Sequence, residues 1–200
     1  MKTIKLEIDG QTVETAEGTT LLEAARKAGI DIPTVCFDKR LPPYGACRLC
    51  LVEIDKDGRK RLVASCAYQA EDGLVVRTET PKVVKIRKMI LELLLAVSAT
   101  GPLETLAKRY GLKESRFQGD QPKCLLCGLC VRYCAEIKKN NVTCFIGRGI
   151  DKEVVFQSDL SHSLCPVCRE CIPLCPSGTL YSLYLKGYSG APEPGSNKGL

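Results

Sequence analysis

The sequence lacks any long apolar run. Its longest, Met89 to Ala99, is short and carries Glu92 and Ser98, well below the roughly 18 residues that a membrane span needs. Histidine is nearly missing too: His162 is the single copy, so imidazole can supply at most one ligand to any site. No G-x-G-x-x-G follows a strand, and no acid–base constellation stands out, so binding of NAD or flavin by this chain is not expected. The formal charge of +6 would suit nucleic acid, but the Lys and Arg residues are scattered and no RNA-binding motif lies among them. The opening residues carry no signal-peptide pattern, and the cysteine count, 13, is odd. Both features argue against a disulfide framework.

What the sequence has in abundance is cysteine at regular spacing. Cys124, Cys127, Cys130 and Cys134 form a C-x2-C-x2-C-x3-C run, and Cys165, Cys168, Cys171 and Cys175 repeat it, with Pro176 after the second. This is the spacing of a two-cluster bacterial ferredoxin. A cubane needs four thiolates at tetrahedral corners, and a short loop wraps only three of them around one face. The fourth comes from elsewhere: in two-cluster ferredoxins the last cysteine of each run ligates the other cluster. The expected sets are therefore Cys124, Cys127, Cys130 and Cys175 for one [4Fe-4S] cluster, and Cys165, Cys168, Cys171 and Cys134 for the other. Zinc is the rival reading, but zinc ribbons use well-separated C-x2-C pairs, whereas here three cysteines crowd each loop. Ala135 stands where the first run would usually carry proline, which loosens a turn and removes no ligand.

The N-terminal part has a different grammar. Residues 1 to 9 alternate polar and apolar, the pattern of a half-buried strand with Ile4, Leu6 and Ile8 inward. Asp9-Gly10 signals a hairpin turn, and Gln11 to Thr15 the return strand. Thr20, with Glu23 three residues on, is a capping box that opens a helix through Ala28, ended by Gly29. Leu51 to Asp55 and Lys60 to Ser65, joined across Asp57-Gly58, read as a second hairpin, and Leu74 to Thr78 as a fifth strand. Through this order run Cys36, Cys47, Cys50 and Cys66, spaced C-x10-C-x2-C-x15-C, which differs from the plant-type C-x4-C-x2-C run. A zinc site or buried thiols fit that spacing as well. The strand order is what favours a β-grasp around a [2Fe-2S] cluster. Gly45 and Ala46 precede Cys47, where the backbone has to fold tightly and aim N–H groups at sulfur.

The expected fold class is α+β. An N-terminal β-grasp [2Fe-2S] ferredoxin domain occupies residues 1–80, a helical connector 81–120, a C-terminal two-cluster [4Fe-4S] bacterial-ferredoxin-like domain 121–186, and a flexible tail 187–200. The connector helix begins at Pro81 and runs to about Ala99. Val84, Met89, Ile90, Leu93, Leu94 and Val97 form its apolar stripe, expected to dock one cluster domain on the other. Gly101-Pro102 breaks it, and a shorter helix, Leu103 to Tyr110, ends at Gly111. Cys144 has no place in any set of four and reads as a small buried residue; His162 reads as structural or surface. Three clusters at roughly −2 each when oxidised would bring the holoprotein near neutrality, since coordinating thiols are deprotonated.

The order of features resembles the N-terminal part of the large iron-sulfur subunit of NADH-quinone oxidoreductase. It equally resembles the diaphorase iron-sulfur subunits of NAD-linked hydrogenases, the front end of [FeFe] hydrogenases, and NAD-dependent formate dehydrogenases. Three segments carry the likeness: Gly45-Ala-Cys-Arg-Leu-Cys-Leu-Val-Glu53, Lys123-Cys-Leu-Leu-Cys-Gly-Leu-Cys-Val-Arg-Tyr-Cys134, and Gly147-Arg-Gly-Ile-Asp151. Those relatives usually hold another [4Fe-4S] cluster on an H-x3-C-x2-C-x5-C site. Leu91 to Gln121 contains no His and no Cys, so that cluster is absent from this chain.

The resemblance implies a cytoplasmic electron-transfer subunit with one [2Fe-2S] and two [4Fe-4S] clusters. It would relay electrons between a flavoprotein NAD(P)H-oxidising subunit, which would hold FMN and NAD(P), and a second redox subunit. The assembly would be a hydrogenase, a formate dehydrogenase, or a bifurcating or transhydrogenating complex. The sequence stops where those relatives begin their catalytic domains, so no terminal chemistry of its own is expected, and neither is nucleic acid as a partner. The alternative is a free soluble ferredoxin shuttle, which should be acidic and monomeric; the excess of Lys and Arg, the long connector helix and the tail favour a fixed subunit. A third reading, a zinc-stabilised interaction module, would be colourless and redox-silent.

Overall fold

Alternation at the N-terminus produces β1 (Thr3–Ile8), with Ile4, Leu6 and Ile8 buried. It turns at Asp9 and Gly10, both at positive φ (49° and 85°), into the antiparallel β2 (Gln11–Ala16). A second hairpin, β3 (Leu51–Lys56) and β4 (Arg59–Ala64), turns at Asp57-Gly58. Between the hairpins lies β5 (Val75–Arg77), parallel to β1 and antiparallel to β3, giving the sheet order β2-β1-β5-β3-β4. Helix α1 (Leu21–Lys27) lays Leu21, Leu22, Ala24 and Ala25 against Ile4, Leu6, Val52, Ile54 and Val76. The architecture is a mixed sheet with helices, an α+β fold.

The α1 capping box forms as the sequence predicts: the Glu23 N–H donates to Thr20 Oγ1 at 3.3 Å, and the Thr20 N–H donates to Glu23 Oε2 at 3.1 Å. Thr20→Ala is expected to cost about 1 kcal/mol, read as a lowered melting temperature of the holoprotein by circular dichroism.

The computed structural model describes residues 2–117, 119 and 123–187, so the expected tail beyond Gly187 lies outside the described residues. The chain divides into two compact units, Met1–Gln121 and Pro122–Leu200. The first therefore includes α2 (Pro81–Val97) and α3 (Gly101–Arg109). Pro102 sits in the first turn of α3, so Gly101-Pro102 ends one helix and starts the next.

The buried face of α2 corrects the expected stripe. Val83, Arg87, Leu91, Glu92, Leu95 and Ala96 are buried, whereas Met89 and Leu93 are 42% and 49% exposed. Val84, Ile90 and Leu94 lie at the flank, half-buried against Leu49, Leu91 and Tyr110. The inward row runs Val83-Arg87-Leu91-Leu95, at i, i+4 spacing. That row carries one charge, Arg87, and the buried face beside it a second, Glu92, because each is paired, Arg87 with Glu79 and Glu92 with Arg116. A count of apolar residues does not register such pairs.

The second unit opens with a loop and α4 (Leu129–Arg132), which continues as a π-helical turn, Tyr133–Ile137. The hairpin β6 (Thr143–Ile146) and β7 (Glu153–Phe156) follows, then α5 (Ser158–Cys168), a 3-10 turn at Ile172–Leu174, and α6 (Thr179–Gly187). Ala135 has a consequence in this unit: with its N–H present and no proline ring, the helix runs on past Cys134. After the second run, Pro176 pushes Cys175 to extended backbone (ψ 111°) and the turn stops. Among the described residues no helix is long and apolar enough to cross a membrane.

Candidate metal centres

The β3–β4 register decides two of the N-terminal thiols. Leu51 pairs with Ala64 at the open end of the hairpin, and the Ser65 N–H donates to the Cys50 carbonyl at 3.1 Å. Cys50 and Cys66 therefore leave the sheet side by side, their sulfurs 3.3 Å apart. Cys36 and Cys47 make the second pair. The loop between them reverses at Gly45 (φ 69°), and the Cys47 N–H donates to Cys36 Sγ at 3.3 Å. Cys36, Cys50 and Cys66 are buried and Cys47 is half-buried.

Electrostatics divides each pair unequally. The hydrogen bond from Cys36 draws the Cys47 thiol down to about 6, helped by the N–H groups of Leu49, Val35 and Cys36. Cys66 does the same for Cys50, also down to about 6. Their partners Cys36 and Cys66 are pushed up by those same shared hydrogen bonds, by burial and by the neighbouring thiolates. Cys36 and Cys47 add to the upward push on Cys66, so the two pairs stand within electrostatic reach of one another. One thiol in each pair gives up its proton readily, which favours metal ligation. Two thiol pairs offer two ligands to each of two metal ions. Among the described residues, no three Cys, His, Asp or Glu side chains converge as they would on a lone ion.

In the second unit Cys124 and Cys127 lie in a loop that turns at Leu126 and Gly128, both at positive φ. Cys130 sits in α4 and Cys134 in the π-helical turn. The Leu126 N–H donates to Cys124 Sγ at 3.4 Å, and the Val142 N–H to Cys134 Sγ at 3.2 Å. Cys165 and Cys168 lie in the last turn of α5, while Cys171 and Cys175 bracket the 3-10 turn. Cys175 Sγ is 3.3 Å from the Ser177 hydroxyl.

Thiols of the two runs come close to one another, with Cys171 near both Cys130 and Cys134. Burial pushes the Cys130 thiol up, and the thiols of Cys127, Cys171, Cys124 and Cys175 push it further. Cys124, Cys130, Cys171 and Cys175 share an apolar cluster with Phe145, Val154 and Leu180. Burial, then Cys134, Cys165 and Cys168, push Cys171 up to about 12; burial, then Cys134 and Cys168, push Cys165 up to about 11. Cys134, Cys165, Cys168 and Cys171 line one cavity, with Tyr133 and Val142 beside them. Cys175 thus lies near Cys124 and Cys130, and Cys134 near Cys165, Cys168 and Cys171, with Cys171 near Cys130 as well. Cys144 is half-buried on β6 opposite Val155, rather than fully buried, and His162 is exposed on α5. Sequence reasoning passed over Arg87, which contacts both residues flanking Cys50. Its only signal was its place on the Val83-Leu91-Leu95 row.

Residues 1–81 match the family of the 2Fe-2S iron-sulfur cluster binding domain. The match spans 81 of the 200 residues, and all four N-terminal cysteines lie inside it. Beyond it, 90% of the chain aligns at 36% identity with an NADH-quinone oxidoreductase subunit of Rhizobium meliloti (strain 1021), and covers 24% of that protein. Another relative, 32% identical, is the NADP-reducing hydrogenase subunit HndD of Solidesulfovibrio fructosivorans, aligned over 90% of the chain and 36% of the relative. The chain thus spans a quarter to about a third of the length of these relatives. Among solved structures, the NAD+-reducing [NiFe]-hydrogenase in the H2-reduced state matches with a TM-score of 0.74 and 28% identity, over 88% of this chain and 85% of that one. The likeness to subunits of NADH-quinone oxidoreductase and of NAD(P)-reducing hydrogenases therefore extends well past residue 81.

Proposed function

We propose that the chain is an electron-transfer subunit holding one [2Fe-2S] and two [4Fe-4S] clusters, which relays electrons between a flavin-containing NAD(P)H-oxidising subunit and another redox subunit of a multi-subunit oxidoreductase. The observation that supports this reading is the approach of thiols distant in sequence: Cys50 Sγ lies 3.3 Å from Cys66 Sγ, the Cys47 N–H donates to Cys36 Sγ, and Cys134 lines one cavity with Cys165, Cys168 and Cys171. Cys36, Cys47, Cys50 and Cys66 would hold the [2Fe-2S] cluster within a β-grasp. Cys124, Cys127, Cys130 and Cys175 would hold one [4Fe-4S] cluster, and Cys165, Cys168, Cys171 and Cys134 the other. Bound clusters supply one-electron oxidation and reduction.

What the chain's own residues do is ligate, exclude water and stabilise charge on sulfur. Backbone N–H groups at Cys36, Cys124 and Cys134 favour the more negative, reduced form. Flavin and NAD(P) are assigned to the partner because the sequence offers no glycine-rich phosphate loop, and because relatives are named for NAD(P)-linked enzymes. Free thiols throughout suit a reducing compartment, the cytoplasm.

Iron and acid-labile sulfide analysis of anaerobically purified protein tests the reading. About ten irons per chain are expected, with a [2Fe-2S] EPR signal and interacting [4Fe-4S] signals after dithionite reduction. About three zincs and no signal would sink it. The free-shuttle alternative is separated by native size-exclusion of a cell extract: the subunit elutes with NAD(P)H dehydrogenase activity, whereas a shuttle elutes alone.

A further inference from the structure

Arg87 is the largest fully buried side chain among the described residues, and with Glu92 one of two buried charges. A guanidinium stays dry only where its N–H groups are met. Nε donates to the Leu49 carbonyl at 3.0 Å and Nη2 to the Leu51 carbonyl at 2.7 Å. Nη1 donates to Glu79 Oε1 and to the Tyr110 hydroxyl, both at 2.9 Å, and that hydroxyl donates to Glu79 Oε1 at 3.0 Å. The two carbonyls belong to the residues on either side of Cys50. The Leu49 N–H meets the Cys47 sulfur, so Leu49 is held by Arg87 on one side and by a thiol on the other. Glu79 is the only carboxylate in these contacts, and its side chain is 46% exposed. Solvent screens its charge more than that of the dry guanidinium, so the balance at the Cys50 backbone is positive.

We propose that Arg87 is a positioning residue that sets the potential of the [2Fe-2S] centre. Its buried charge stabilises the reduced state, and its two carbonyl contacts hold Cys50 beside Cys47 and Cys66. The inference rests on the reading of Cys36, Cys47, Cys50 and Cys66 as the [2Fe-2S] ligands. On reduction one electron enters, no bond forms or breaks, and the centre goes from about −2 to about −3; a nearby fixed cation favours that change. The residue responsible lies in α2, outside residues 1–81, so the centre is complete only with the first connector helix.

The test is an EPR-monitored redox titration of the full chain, with dithionite as the reductant, alongside iron content and melting temperature. Arg87→Met is expected to lower the electron affinity of the [2Fe-2S] centre about tenfold, a fall of about 59 mV for one electron. Arg87→Lys, which keeps the charge and loses the two-carbonyl grip, should stay nearer the wild-type potential while loading less iron. Glu79→Gln removes the half-exposed counter-charge and leaves Arg87 in place, so its potential should rise. A residue that merely holds structure would not move the potential in opposite directions in the two variants. If Arg87→Met fails to fold, Arg87→Gln, which removes the charge but keeps amide donors for the two carbonyls, takes its place. A wild-type [2Fe-2S] signal at an unchanged potential in the charge-removing variant that folds overturns the role of Arg87. A wild type without any [2Fe-2S] signal overturns instead the ligand reading beneath it.

Discussion

The double variant Cys124→Ala/Cys175→Ala is expected to lose about four irons per chain, whereas Cys124→Ala/Cys134→Ala is expected to lose about eight. The two variants remove the same number of thiols, so the difference lies only in which thiols share a cluster. Cys124 and Cys175 stand together with Cys130 in one apolar cluster that Cys171 also borders, and all three act on the Cys130 thiol. Cys134 instead lines the cavity shared with Cys165, Cys168 and Cys171. Removing two ligands of one cubane costs no more than that cubane; removing one ligand from each costs both. Cys124→Ala alone serves as the control, with about six irons retained and the [2Fe-2S] EPR signal unchanged. Equal iron loss in the two double variants would refute the crossed arrangement.

Gly147→Ala is expected to destabilise the C-terminal unit by roughly 3 kcal/mol or more, combining left-handed strain with a backbone clash. Gly147 has φ +66°, and a Cβ there would lie 2.2 Å from the Asp151 carbonyl oxygen and 2.9 Å from its carbon. Both are backbone atoms, so no side-chain rotation relieves the contact. The reversal at Gly147 connects β6 to β7, whose Phe145 and Val154 pack on Cys130 and Leu180. Opening it should loosen the wall over the Cys124, Cys130 and Cys175 thiols, and iron should be lost with the fold. Gly149→Ala provides the comparison: φ is +57° but nothing lies within 4 Å of the added carbon, so only about 1 kcal/mol of conformational strain is expected. Calorimetric melting of the two variants, with iron counted before and after, separates clash from strain. Similar melting points for both would show that the Asp151 contact does not matter.

Much of the N-terminal fold is legible because its signals are local. Ile4, Leu6 and Ile8 alternate within one strand; Thr20 and Glu23 meet within one helical turn; Asp9-Gly10 and Asp57-Gly58 close hairpins of adjacent strands. The stripe expected on α2 departs from the buried face for the opposite reason. Met89 and Leu93 look like core by composition, yet the face that turns inward carries Arg87 and Glu92, whose partners Glu79, Tyr110 and Arg116 are supplied by other parts of the chain.

The same division holds for the candidate centres. By itself the sequence determined which cysteines come in runs, how many each run holds, and that Cys144 belongs to none. These are properties of spacing, and a loop of a few residues can present only so many thiols in one direction. The crossed sets are expected from that spacing; only the tertiary structure supplies the contacts themselves. Cys50 meets Cys66 because the β3–β4 register places them level, and Cys134 meets Cys165, Cys168 and Cys171 because the folded unit closes the two runs on each other. Arg87 is the extreme case: its burial is tolerable only once Leu49, Leu51, Glu79 and Tyr110 have been brought around it. Nothing in the local sequence of α2 carries that information, because the desolvation of a charge is decided by groups distant in the chain and near in space.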